Sequence, residues 1–153
     1  MALAISAMLL FVTVNAISLV LRGAPDVRKK ITALADIDQA AHWLTRDVVM
    51  GLHTDLENGA PPEAQMTITW TDYTKEAEQE ESVSHSVTYT HSGTQLQRNY
   101  DGVVTIVGRN VTGAWFSIND RVITVTLSCS IDGDSSSTFT RNYKILMRGE
   151  TGV

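Results

Sequence analysis

The chain is organised around the apolar run MALAISAMLLFVTVNAISLVL, residues 1–21. It contains no Asp, Glu, Lys, Arg, His, Gly or Pro, and its polar residues are Ser6, Thr13, Asn15 and Ser18. As a helix with a rise of about 1.5 Å per residue it would be roughly 30 Å long, the thickness of the hydrocarbon core of a bilayer. A helix that is apolar on every side must be buried on every side. We therefore expect it to lie in lipid or among copies of itself.

This stretch could also be a cleaved signal peptide or a plain membrane anchor. A cleaved signal peptide is disfavoured, because no Lys or Arg precedes Arg22 and the apolar run is longer than the usual core of about 7–15 residues. A plain membrane anchor stays open as an alternative. Small residues favour close packing of this helix against other helices, and they lie at Ala2, Ala4, Ser6, Ala7, Ala16 and Ser18.

The next segment predicts a change in the character of the helix. Gly23 and Pro25 are helix breakers, so we expect a kink there. From Asp26 to Leu56 apolar residues recur at spacings of three and four, which predicts an amphipathic helix. Its expected apolar stripe is Val27, Ile31, Leu34, Ile37 or Ala41, Leu44 and Val48, and its expected polar face includes Asp36, Asp38, Arg46 and Asp47. Asn58 to Pro62 should end it.

From Gln65 onward the pattern changes to the period of two that is typical of strands. We expect roughly five to seven antiparallel strands, the clearest being the hairpin of residues 121–131 and 138–147. The predicted fold class is therefore α+β: a long N-terminal helix, apolar in its first half and amphipathic in its second, packed on an antiparallel β-sheet. The predicted domains are an apolar helix (1–22), its amphipathic continuation (23–58) and a β domain (59–153).

The composition argues against several functions. The formal charge is −5, from 12 basic and 17 acidic residues, whereas nucleic-acid binding rests on basic surfaces. One cysteine, Cys129, excludes an intramolecular disulfide and a cysteine-rich zinc site. The sequence has no Gly-rich phosphate loop, HExxH or G-x-S-x-G motif. We accordingly expect neither an enzyme nor a resident cofactor.

Two short patterns are weak candidates for other sites. Asp132 and Asp134 flank Gly133 like a fragment of a calcium loop, but the later Glu of an EF-hand is missing and a turn explains the same residues. They stay weak calcium candidates. Asn110-Val111-Thr112 fits the glycosylation sequon, a short pattern that often occurs by chance.

The chain resembles the type IV pilins and the pseudopilins of type II secretion, in particular larger minor pilins and J-type minor pseudopilins. The segment MALAISAMLL is similar to the one that follows the prepilin processing motif. Asp38 to Val48 resembles the helix of those proteins, and the pattern Y-x(6)-L-x-R, from Tyr89 to Arg98, and the strand from Val122 to Ser128 are similar to their sheet. The resemblance covers nearly the whole chain through loose, mostly apolar patterns.

One part of the family pattern is missing. The processing motif, a Gly followed by an aromatic residue, Thr, an apolar pair and a Glu, does not occur, and the first glutamate is Glu57. In the family this Glu neutralises the N-terminal amine of a neighbouring subunit. We expect that the sequence begins just after the motif; alternatively, the protein does without the pair.

The resemblance implies a structural subunit of a type IV pilus-like or secretion pseudopilus filament. The expected assembly residues are Ile5, Leu9, Leu10, Val14, Ile17 and Leu21. The expected partners are copies of the chain or homologous pilins, with the inner membrane as the location before assembly and an extracellular or periplasmic filament afterwards. Arg28-Lys29-Lys30 would by the positive-inside rule mark a cytoplasmic flank, which conflicts with that placement. The alternative function is a single-pass, membrane-anchored binding or sensing domain outside the cytoplasm.

Overall fold

The computed structural model describes the backbone of residues 2–72, 83–130 and 138–148. Side chains in the first half of the helix are described only at residues 11–15 and 18, and from residue 27 onward they follow the backbone ranges. Within these ranges the chain forms one helix, α1 (Ala2–Met50), followed by eight strands. It divides into two compact units, residues 1–32 and residues 33–153.

The first unit is helical. The helix continues without interruption through Gly23 and Pro25, so the backbone does not unwind there, while a bend of its axis at these residues stays a prediction. Phe11, Val12 and Val14 are exposed. Among the described residues, no helix is long and apolar enough to cross a membrane. The side chains of the other predicted assembly residues, Ile5, Leu9, Leu10, Ile17 and Leu21, lie outside the described residues.

The second half of α1 buries one stripe of small and branched side chains. From residue 27 to residue 50, a run of 24 residues, the helix is described with its side chains. The buried apolar positions are Ala33, Ile37, Ala40, Ala41, Leu44 and Val48. The prediction that Val27 and Ile31 belong to this stripe is wrong, because they are 57% and 61% exposed. Leu34 is half-buried.

The helix ends at Met50, before the predicted ends at Leu56 and residue 58. Gly51 donates its amide to the carbonyl of Asp47 at 2.9 Å, and the amide of Leu52 then bonds to Thr69, a residue of the second strand. A Cβ atom at position 51 would lie 2.2 Å from Cγ2 of Ile68. The chain leaves the helix at a glycine because the sheet approaches too closely there for a side chain.

The strands form two antiparallel sheets. They are β1 (His53–Thr54), β2 (Gln65–Asp72), β3 (Val83–Ser92), β4 (Gln95–Tyr100), β5 (Val103–Gly108), β6 (Val111–Asn119), β7 (Val122–Ser130) and β8 (Thr138–Leu146). The first sheet has the order β1-β2-β3-β4-β5 and the second the order β6-β7-β8. Residues 58–63 run along the free edge of β6, where the amide of Gly59 bonds to Ile118 and Glu63 exchanges two backbone hydrogen bonds with Phe116.

One hydrophobic core joins the helix stripe to both sheets. It contains Leu44 and Val48 from α1, Ile68 and Tyr89 from the first sheet, and Phe116 from the second. The inward residues Ile123, Val125, Leu127 and Cys129 of β7, at equal spacing along the strand, lie in the same core.

The predicted fold class is wrong. The described chain is mostly antiparallel β structure, with eight strands in two sheets, and it contains no helix apolar enough to span a membrane. We expected a single sheet, because alternation along each strand shows which residues face inward but not which strands pair. The β5–β6 connection, residues 109–110, carries the chain from one sheet to the other.

Candidate functional site

The least usual feature of the core is a buried carboxylate on the helix. Asp47 is only 2% exposed. The Tyr89 hydroxyl donates to its Oδ2 at 2.5 Å, and Arg98 donates through Nε to Oδ2 at 2.6 Å and through Nη2 to Oδ1 at 3.0 Å. Burying a carboxylate is costly unless it is paired and hydrogen-bonded. Both oxygens of Asp47 therefore accept hydrogen bonds. Arg98 binds the carboxylate in the bidentate geometry that suits a guanidinium–carboxylate pair.

The secondary structure brings these three residues together. Tyr89 of β3 and Arg98 of β4 are directly opposite each other in the strand pairing, so both side chains lie on the inner face of the first sheet. Asp47 lies on α1 between Leu44 and Val48, which are fully buried. The helix stripe and the inner face of the sheet therefore meet at this network.

The network sets the charge states of Tyr89 and Arg98. Burial, followed by the hydrogen bond to Asp47, raises the pKa of Tyr89 far above its usual value of 10. The hydrogen bond to Asp47 also raises the pKa of Arg98. Tyr89 accordingly stays a neutral phenol and Arg98 a cation at any physiological pH. Neither group can act as a base, and the network ties the helix to the sheet.

A row of aromatic rings extends from Arg98 along the inner face of the first sheet. The guanidinium lies 5.1 Å from the centroid of the Trp43 ring and 4.9 Å from that of Tyr100. Tyr100 stacks on His85 at 5.6 Å, and Trp70 lies 5.7 Å from His85 and 5.8 Å from Tyr100. Arg98 is thus held by cation–π attraction to the Trp43 and Tyr100 rings as well as by the carboxylate of Asp47.

The row ends where His85 of β3 pairs with Asp101 in the turn after β4. Nδ1 of His85 lies 2.6 Å from Oδ2 of Asp101 and 3.0 Å from the Tyr100 hydroxyl, and the amide of Ser86 donates to Oδ1 of Asp101 at 2.7 Å. Asp101 has a φ of 47°, in the left-handed region. The His85 hydrogen bond and then the Ser86 amide lower the pKa of the Asp101 carboxyl below 3.8.

Asp101→Asn should reduce stability near neutral pH but not in acid. A carboxylate with a lowered pKa contributes stability above its unfolded pKa and loses it as the pH falls through the folded value. We therefore expect the urea midpoints of wild type and variant to differ at about pH 6 and to converge towards about pH 2. Parallel midpoint curves across that range would contradict the assignment.

The control for backbone conformation is Asp120→Asn. Asp120 occupies the β6–β7 turn with a φ of 56°. Because asparagine tolerates the left-handed region as well as aspartate does, this variant shows at neutral pH what the substitution itself costs in such a turn. Any larger loss at Asp101 then belongs to the carboxylate.

A cleft in the described part of the chain lies between α1 and the end of β5. It encloses about 250 Å³ and is lined by Asp36, Gln39, Ile106, Val107, Gly108 and Arg109. Typical small-molecule pockets enclose about 300–1,000 Å³ and are mostly apolar, so this cleft is smaller and more polar. Oδ2 of Asp36 already accepts a hydrogen bond from the side-chain Nδ2 of Asn110 at 2.5 Å, which ties the glycosylation-sequon residue to the helix.

Few of the predicted site residues lie near this network or this cleft in the described part of the chain. Val14 is exposed, and Asp132 and Asp134 lie outside the described residues. Within the described ranges, no group of three or more His, Cys, Asp or Glu is placed to hold a metal ion. The sequence prediction of Asp47 on the polar helix face is wrong, since Asp47 is buried. The sequence did contain a sign of this pair. Tyr89 is in phase with the inward residue Val87 of its strand and Arg98 with the inward residue Leu96 of the next, which predicts two inward polar side chains that need a partner.

No protein-family profile matches this chain, and no curated protein matches its sequence.

Proposed function

We propose that this chain is a structural subunit that assembles with copies of itself, or with homologous subunits, through the first half of α1. The observation that carries the proposal is the exposure of Phe11, Val12 and Val14, at 69%, 57% and 56%. Burying a large apolar side chain contributes about 1.5–3 kcal/mol. Neighbouring helices that cover these side chains would gain that energy at each one.

The three side chains also indicate the kind of partner. Successive helical residues are about 100° apart around the axis, so Phe11 and Val14 lie on one side of the helix, about 60° apart, and Val12 extends the exposed apolar arc to roughly 160°. A narrow apolar stripe would fit one partner helix, whereas an arc of this width requires surroundings that more than one neighbour supplies. Several parallel copies of the same helix supply such surroundings.

The polar residues of the second unit favour a structural role. Asp47, Tyr89 and Arg98 satisfy one another at 2.5–3.0 Å, and the pKa values of Tyr89 and Arg98 are raised there, by burial and the hydrogen bond to Asp47 for Tyr89 and by the hydrogen bond to Asp47 for Arg98. A group that is to transfer a proton needs a pKa near the working pH. This network instead holds the helix and the sheet together, which is a structural task.

The resemblance to type IV pilins and pseudopilins supports the mode of assembly but not the fold, which differs from the one expected. A head-to-tail contact that does not close on itself produces an open filament. On this proposal the chain resides in the inner membrane before assembly and in an extracellular or periplasmic filament afterwards.

The test compares Val14→Asp with Val49→Asp in the full chain. The two valines are on the same helix and similarly exposed, at 56% and 49%. Val14→Asp places a charge among the packed helices and should abolish filaments seen by electron microscopy and sedimentation. Val49→Asp should leave them intact. Circular dichroism melting should show that both variants keep the folded β-rich unit.

Two results would overturn the proposal. One is a Val14→Asp variant that still forms filaments like those of the wild type. The other is a wild-type chain that inserts into lipid vesicles as a lone helix and never forms a filament, which would favour the membrane-anchored binding domain instead.

A further inference from the structure

The four edges of the two sheets are protected unequally. In the first sheet, β1 is only two residues long. In the second sheet, the edge of β6 is covered by residues 58–63, and β8 carries the exposed basic residues Arg141 and Lys144. Shortness, a covering loop and basic side chains are the usual means by which natural sheets avoid edge-to-edge pairing. The remaining edge is β5.

Strand β5 has none of these protections. It pairs with β4 on one side, and no other strand of the described chain lies on its other side. Its first four residues, Val103-Val104-Thr105-Ile106, are exposed and include neither a charge nor a proline. Val103 is 66%, Val104 58% and Ile106 41% exposed. Because neighbouring side chains of a strand lie on opposite faces, apolar groups are exposed on both faces of this edge.

We propose that β5 pairs antiparallel with β5 of a second copy of this chain, which joins two first sheets edge to edge. Its apolar β-branched residues favour strand pairing and bring no like charges together.

The charges at the ends of β5 fit a two-fold pairing. Asp101 precedes the strand and Arg109 follows it, and both are exposed. In an antiparallel pair centred on Val104, with Val104 of one copy opposite Val104 of the other, the end of one copy that carries Arg109 lies beside the end of the other that carries Asp101. Opposite charges therefore approach at both ends, which favours a second copy in this orientation. The paired strand is short, so we expect a dimer that depends on concentration.

The experiment uses the full-length Val14→Asp chain as its background, so that helix-mediated assembly and pairing through β5 are measured separately. Analytical ultracentrifugation should show a reversible monomer–dimer equilibrium in this background. Adding Val104→Lys should raise the dissociation constant by about tenfold or more, because two ammonium groups then face each other across the pair.

The matched control is Leu146→Lys, which introduces the same charge at an exposed residue of the β8 edge, where Leu146 is 62% exposed. It should leave the dimer unchanged, and melting curves should show that both lysine variants stay folded. The proposal is overturned if the background chain stays monomeric at every concentration, or if both lysine variants weaken the dimer equally.

A background chain that still forms filaments would count against the proposed function and not against β5 pairing. In that case a labelled peptide of residues 101–109 serves as the probe. Its fluorescence anisotropy should rise with wild-type chain and not with the Val104→Lys chain. Equal binding to both chains would overturn the proposal.

Discussion

Asp47→Ala should lower the free energy of unfolding by about 3–5 kcal/mol, the usual cost of removing one partner of a buried ion pair. The Arg98 guanidinium would stay inside the protein, with its side chain 13% exposed, and would lose its counter-ion. Tyr89 would lose the acceptor of its hydroxyl at the same time. Equilibrium urea unfolding of the full chain should show a lower midpoint with an unchanged slope.

Asp38→Ala is a closely matched control. Asp38 also pairs with an arginine and a tyrosine: Arg141 donates to its Oδ1 at 2.5 Å and the Tyr143 hydroxyl at 3.1 Å. This pair is open to solvent, with side-chain exposures of 44% for Arg141 and 56% for Asp38. Exposed ion pairs contribute little because water and salt screen them. Asp38→Ala should therefore shift the urea midpoint far less than Asp47→Ala, and equal shifts would show that Asp47 is not a buried anchor.

Asp47→Asn separates the charge from the hydrogen bonds. The amide oxygen still accepts from Tyr89 or Arg98, but the negative charge beside the guanidinium is gone. We expect Asp47→Asn to lower the free energy of unfolding, but by less than Asp47→Ala does, because hydrogen bonds to charged groups contribute more than those to neutral groups. A loss as large as that of Asp47→Ala would assign the whole effect to the charge.

The positions of the strands could be predicted from the sequence, whereas their grouping could not. In β2 the apolar residues Met66, Ile68 and Trp70 alternate with threonines, and all three are buried. Alternation of apolar and polar residues indicates a strand with one buried face, and it can be read from the residues of that strand alone. The partner of a strand is a separate matter. A connection as short as residues 109–110 ordinarily joins neighbouring strands of one sheet, yet β6 pairs with β7 and not with β5.

The buried network was missed because its members are distant in sequence. Arg98 follows Asp47 by 51 positions, so no local pattern links them. Helical periodicity places position 47 at the border of the stripe that contains Leu44 and Val48, and an aspartate at a border is ordinarily assigned to solvent. Its burial follows only once Arg98 is known to lie beneath it. The site can therefore be recognised only from the tertiary structure, whereas the helix stripe can be recognised from local periodicity.

Leu44→Ala should cost about 2–5 kcal/mol of unfolding free energy, because the side chain is fully buried between the helix and the two sheets. Removing it leaves a cavity that the surrounding strands can only partly fill, since each is held by the pairing of its own sheet. Leu44→Met, which nearly conserves the volume, should cost less than about 1.5 kcal/mol. The measurement is again equilibrium unfolding in urea, with the slope compared between variants.

Val49→Ala provides the matched control for Leu44→Ala on the same helix. Val49 is 49% exposed and lies five positions after Leu44. Its truncation should change the unfolding free energy by no more than about 0.5 kcal/mol, as is usual for surface substitutions away from special features. If Leu44→Ala costs less than about 1 kcal/mol, or no more than Val49→Ala, the leucine cannot be packed in a core shared by the helix and both sheets. The helix would then be held to the sheets chiefly by the contacts of Asp47.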